Sequence, residues 1–170
     1  MIFKNNFIEN NAIIYKLISD HGFCQVRERI DNGQKGLFSN HDFNVGEVLV
    51  KFSASNTLSE PDYLTIQLAQ SSHIRLSPDY IQYVNHSCMP NVLFNTSTMV
   101  LECVSQIKKG DELRFFYPAT EWDMSQPFSC NCGSSNCLGL IQGASFMPLS
   151  VLNNYKLSDF VILMLRGSGK

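Results

Sequence analysis

The 170-residue sequence predicts a mainly β protein folded as one domain. Three observations point there. From about residue 23 to residue 117, short runs of alternating or β-branched apolar residues are separated by turn clusters. Helix patterns are confined to the two ends of the chain. The length suffices for one proper core and is too short for two, and the chain carries no internal repeat, low-complexity tract or long linker.

Taken in order, residues 10–19 are expected to be helical. "FCQVRERI" alternates as a strand and "DNGQKG" turns after it. "VGEVLVKF" is a strand of β-branched and apolar residues. "YLTIQLA", the turn "QSS" and "HIRL" make a hairpin. Beyond Pro90 follow "NVLF", "TMVLECV" and "ELRFFY", with turns at "NTST" and "KKGD". The tail from Ser150 to Leu165 is the stronger helix candidate, with Ser150 as its cap.

Charge narrows the function. Net charge is −2 and basic residues cluster no further than Lys108-Lys109, which argues against a nucleic-acid binder. The N-terminus lacks an uninterrupted apolar stretch and a small-residue cleavage site, so no signal peptide is expected. "FVILML" falls far short of the roughly 20 residues that cross a bilayer. The protein is therefore expected to be soluble and intracellular, cytoplasmic or nuclear. In that reducing setting the six cysteines favour metal binding over disulfides.

"SCNCGSSNCLG" holds Cys130, Cys132 and Cys137. In an extended chain residues i and i+2 share a face, so Cys130 and Cys132 can reach one ion. The turn "GSSN" then returns Cys137 to them. A structural zinc takes four ligands. Among the other candidates, Cys24 and Cys103 sit in apolar strand patterns as small buried hydrophobes. Cys88 differs, lying in the polar segment "YVNHSCMPNV" before a proline.

"NHSCMPN", followed some forty residues later by C-x-C-x4-C, resembles the SET-domain lysine methyltransferases with their post-SET segment. "KGLFS" is similar to that family's Gly-rich cofactor turn, "FNVGEVLVKF" to its next strand, and "KKGDELRFFYP" to the segment ending in its functional tyrosine. The resemblance runs from about Val26 to Gly143. It implies a SET fold: small curved sheets with a knot-like C-terminal threading, a zinc-bound post-SET segment and short terminal helices. Expected boundaries are a SET core over 26–118, a post-SET segment over 126–143 and a helical tail over 144–170.

By the same resemblance, Cys88, Cys130, Cys132 and Cys137 bind one structural Zn²⁺. S-adenosylmethionine is the methyl donor, and the substrate is a lysine in a protein or peptide, or failing that another primary amine. Tyr117 is the catalytic residue and also meets the cofactor. Asn85 and His86 hold the cofactor, His86 largely through its backbone. Lys35, Gly36 and Leu37 hold its methionine end through backbone groups, where glycine permits close approach. Leu138 and Trp122 are placed to cover the adenine. Phe115 stands where the family sets the number of methyl groups added, and a phenylalanine there points to di- or trimethylation.

Such chemistry needs little acid–base machinery. An amine displaces the sulfonium methyl in line, so alignment and desolvation matter most. A lysine is neutral only about four times in ten thousand at pH 7, and an apolar channel beside a sulfonium lowers its pKa.

Four departures from the family pattern stand out. Gln34 replaces the first glycine of the turn, and φ > 0 there would strain it. Phe52 replaces a channel tyrosine, Phe116 an aspartate and Gln82 an arginine. They keep a second function open: a catalytically silent, zinc-stabilised module that binds a peptide or partner.

Overall fold

A computed structural model describes residues 7–10, as backbone, and 13–169. Its elements are short and mostly extended. β1 (Phe7–Asn10), β2 (Ile13–Asp20), β3 (Cys24–Arg29) and β4 (Lys35–Ser39) form an antiparallel sheet in chain order. After β5 (Val48–Lys51), strands β6 (Ser53–Leu58), β7 (Thr65–Ala69) and β8 (Ser72–Ser77) form a second sheet with β8 central. A 3-10 turn over Asp79–Tyr83 leads into β9 (Asn85–His86). β10 (Val92–Asn95) and β11 (Val100–Cys103) join β5 in a third sheet, order β10-β11-β5.

The last third of the chain returns to this frame. β12 (Arg114–Phe115) lies parallel to β9, with Arg114 opposite Asn85 and Phe115 opposite His86. β13 (Phe128–Ser129) pairs with β14 (Leu140–Ile141), then α1 (Leu149–Leu152) and α2 (Asp159–Gly167) close the fold. No described helix is long and apolar enough to cross a membrane.

The strand readings in the middle of the chain hold, including the β7–β8 hairpin, except that "ELRFFY" is strand only over Arg114–Phe115. Both end readings change. Residues 13–19 are strand, and Asn10 ends β1; Asn11 and Ala12 lie outside the described residues, as does Lys170. β2 pairs on one side with β1 and on the other with β3. Three isoleucines in seven residues suit that pleated site better than a helix.

The expected tail helix is two helices, interrupted at 153–158. Its cap is Ser158, whose hydroxyl accepts from the Val161 N–H. Tyr155 causes the interruption: its ring stacks on Phe116 at 3.6 Å, and its hydroxyl donates to the Cys88 carbonyl at 2.8 Å.

Two hydrophobic clusters result. One gathers β3, β5, β7, β8, β10 and β11 around Leu37, Ile74, Ile81 and Leu101. The other packs Cys88, Cys130, Phe116 and Ile141 against the C-terminal helices through Leu152, Phe160 and Val161. Tyr117 is packed against both clusters, at the seam between them.

Candidate active site

A cleft of about 740 Å³ opens along this seam. Lys35, Gly36, Asn85, His86 and Tyr117 all line it, from three separate parts of the sequence. Leu37 does not: it is fully buried, and its carbonyl accepts from the Leu113 N–H at 2.7 Å. Leu138 and Trp122 are also outside the lining. Phe52 is buried edge-on to Phe94 and lies away from the cleft, whereas Phe115 and Gln82 line it.

Lys35 and Gly36 begin a strand, where a turn is expected from the sequence. Gln34 escapes strain because the left-handed residue is its neighbour: Gly33 has φ 73°. The displaced glycine therefore does the work expected of the missing one. Gly36 is needed for space. A Cβ there would stand 2.8 Å from Glu112 Oε1, 3.1 Å from the Phe38 ring and 3.2 Å from Asn85 Nδ2.

Asn85 fastens this corner. Its Nδ2 donates to the Lys35 carbonyl at 2.9 Å and to Glu112 Oε1 at 2.8 Å. Glu112 in turn accepts from Arg114 through Oε2. Glu112 is a site residue that the sequence reading missed, since an acid between a turn and a strand carries no distinguishing pattern.

His86 is buried, and desolvation pushes its imidazolium pKa down to about 4, so the ring is neutral near pH 7. Nδ1 accepts from the Tyr117 N–H at 3.3 Å. A backbone N–H only donates, so the ring proton belongs on Nε2, which points at Cys88 Sγ 3.4 Å away. The ring thus joins the tyrosine to the cysteine cluster.

Tyr117 opens a 3-10 turn instead of ending a strand, because Pro118 offers no N–H to continue the ladder. Its hydroxyl donates to the Val84 carbonyl at 3.3 Å. Burial raises its pKa well above the ordinary phenol value, with Glu112 and Glu121 adding to the effect, so the hydroxyl keeps its proton. The Phe115 ring lies 4.7 Å from that of Tyr117.

The Sγ atoms of Cys88, Cys130, Cys132 and Cys137 all lie within 4.8 Å of one another. Tetrahedral zinc with Zn–S near 2.3 Å sets sulfurs about 3.8 Å apart, so the four thiols fit such an ion. Cys88 Sγ also accepts from the Leu138 N–H at 3.4 Å. Leu138 therefore orients a cysteine in this structure. Cys24 and Cys103 stay apart, fully buried in strands, as small apolar residues.

Comparison with known proteins gives the family. The SET domain family matches residues 34–118. The methyltransferase flvH of Aspergillus flavus is 42% identical over 124 residues, covering 72% of this chain and 69% of that protein. An H3 lysine-36 specific histone-lysine N-methyltransferase of Chaetomium globosum is 31% identical over 90 residues, 46% of this chain. An H3 lysine-4 specific enzyme of Aspergillus oryzae is 21% identical over 129 residues. This chain spans only 10% of the length of each of those two histone-lysine enzymes. The chain belongs to the SET-domain family, and its relatives are methyltransferases.

Proposed function

We propose that the protein transfers a methyl group from S-adenosylmethionine to the ε-amine of a lysine in a protein or peptide, with one structural Zn²⁺ in the four-cysteine site. The observation that carries this is the convergence of Gly36, Asn85 and Tyr117 on one cleft. It is held by the parallel pairing of β9 with β12.

When bound, S-adenosylmethionine supplies an electrophilic methyl on a sulfonium. Gly36 leaves room for Glu112 and Asn85 to pack against the chain, and Asn85 fixes the Lys35 carbonyl, so this corner would hold the cofactor's methionine end. His86, neutral and fixed by two hydrogen bonds, sets the backbone at the start of Tyr117. Tyr117 keeps its hydroxyl proton and offers the oxygen lone pairs to orient the amine and methyl. Phe115 presents a bare ring next to it, leaving room for an amine already carrying methyl groups.

The zinc role follows from the donors. Four thiolates leave no open position for water, so the metal builds a wall and takes no part in the chemistry. It ties the segment carrying β13 and β14 to Cys88, two residues from His86.

The test is label transfer from methyl-tritiated S-adenosylmethionine into a lysate of the source organism, with Tyr117→Phe and no-enzyme controls. A labelled protein band that disappears in the variant supports the reading. Label confined to small molecules redirects it to a free amine. No label, with no calorimetric binding of S-adenosylmethionine, sinks it in favour of a silent module.

A further inference from the structure

Three carboxylates line the cleft, and they are not alike. Asp62 is paired with Arg75 and accepts the Leu64 N–H. Glu112 is paired with Arg114 and accepts from Asn85. Glu121 has no cationic partner among the described residues. It follows Thr120, four residues beyond Tyr117, and is 8% exposed.

Glu121 is nevertheless held firmly. Its Oε1 accepts from the Gln67 N–H of β7 at 3.0 Å and from the Thr120 hydroxyl at 3.0 Å. Gln67 also braces the next residue, its side-chain oxygen accepting the Trp122 N–H at 2.9 Å. Both bonds fall on one oxygen. Oε2 has no partner among the described residues, and it is not sealed in either. The one fully enclosed, unpaired side-chain atom among them is His73 Nδ1.

A fixed carboxylate on the wall of a cleft, nine-tenths buried and with one oxygen unpartnered among the described residues, is costly unless a cation or a strong donor meets it. Its surroundings are apolar enough for an alkyl chain: Ile66, Leu76, Phe94 and Phe115 line the same cleft. Its charge is also felt at the Tyr117 hydroxyl, where the amine would react.

We propose that Glu121 recognises the amine end of the substrate, Oε2 accepting a hydrogen bond from a primary alkylammonium as it enters beside Tyr117. This rests on the methyl-transfer reading above and adds a specificity-determining residue to it. The site takes cationic amines in preference to neutral groups of the same shape.

The test is calorimetric binding of n-butylammonium and of n-butanol to the purified full chain at pH 8, in wild type, Glu121→Gln and Glu121→Leu. A charged hydrogen bond gives at least about a tenfold weaker ammonium affinity in both variants, with n-butanol binding unchanged. The unchanged alcohol shows that the cleft still folds. Equal ammonium affinity in wild type and Glu121→Gln would overturn the assignment.

Nα-acetyl-lysine N-methylamide, run alongside, separates a chain-borne lysine from a free alkylamine by whichever binds more tightly. S-adenosylmethionine binding is measured in the same preparations. Its absence from wild type would break the methyl-transfer reading alone, and its retention with unaltered ammonium binding would break the Glu121 assignment alone.

Discussion

The Tyr117 N–H donates to Nδ1 of His86 at 3.3 Å, so the tyrosine proposed to act at the reaction is positioned by a ring whose other nitrogen faces a sulfur of the four-cysteine cluster. Replacing His86 by phenylalanine keeps an aromatic of similar size and removes both hydrogen bonds. Groups that orient metal ligands typically contribute 10- to 100-fold in affinity or activity. His86→Phe is expected to lose roughly that much in zinc affinity and in turnover together. Competition with a zinc-binding dye, beside methyl-transfer assays, checks whether the two fall in step.

Gly36→Ala tests the tight packing at the corner proposed to hold the cofactor. The added methyl would meet Glu112 Oε1 at 2.8 Å, and Glu112 cannot swing away freely because Asn85 and Arg114 both hold it. Overpacking of this kind costs about 1–3 kcal/mol. Urea denaturation should show that loss, and titration with S-adenosylmethionine should show binding weakened by more than about tenfold.

Cys130→Ser removes one of the four clustered sulfurs, a buried one. The variant is expected to lose its zinc by elemental analysis and to be destabilised by more than about 4 kcal/mol, the range reached when a structural metal is lost. A strong chelator on the wild type should produce the same state. Cys24→Ala lies outside the cluster and should keep one zinc per chain.

Glu121 gives stability a pH dependence of defined sign. Burial raises its carboxyl from 4.5 to about 7, against the opposing hydrogen bonds from Gln67 and Thr120. Between those values the folded chain holds a proton that the unfolded chain has released. Its contribution to stability therefore falls as pH rises from about 4.5 to about 7 and is level above that. Comparing urea denaturation of wild type and Glu121→Gln at pH 5 and pH 8 isolates it: wild type should lose more stability than the variant across that interval.

Much of the fold is legible in the sequence because half-buried strands write alternation into it. β3, β5, β7–β8 and β10–β11 all fall where apolar patterns place them. β6 is nearly all exposed, so "SASNTL" shows no pattern, and only its pairing with β8 makes it a strand. "IIYKLISD" carries a pattern short enough to fit helix or strand, and its neighbours β1 and β3 decide the matter. The break in the tail helix depends on Tyr155 stacking on Phe116, a contact between distant residues.

The site divides in the same way. Closely spaced cysteines and "NHSCMPN" announce themselves, and the four sulfurs do meet. Leu37 and Leu138 are expected at the cofactor from their place in a motif; neither lines the cleft, the Leu37 carbonyl accepting from the Leu113 N–H and the Leu138 N–H donating to Cys88 Sγ. Glu112 and Glu121 carry no sequence signal, because an acidic residue near a turn looks solvated until the fold buries it. They are visible only once the cleft has formed.

The most direct measurement is a crystal structure of the zinc-loaded protein with S-adenosylhomocysteine. The methyl-transfer reading places the ligand against Gly36, Asn85 and His86, with its sulfur directed at the Tyr117 hydroxyl. A cleft still empty at saturating ligand, or a ligand bound away from Tyr117, would contradict it.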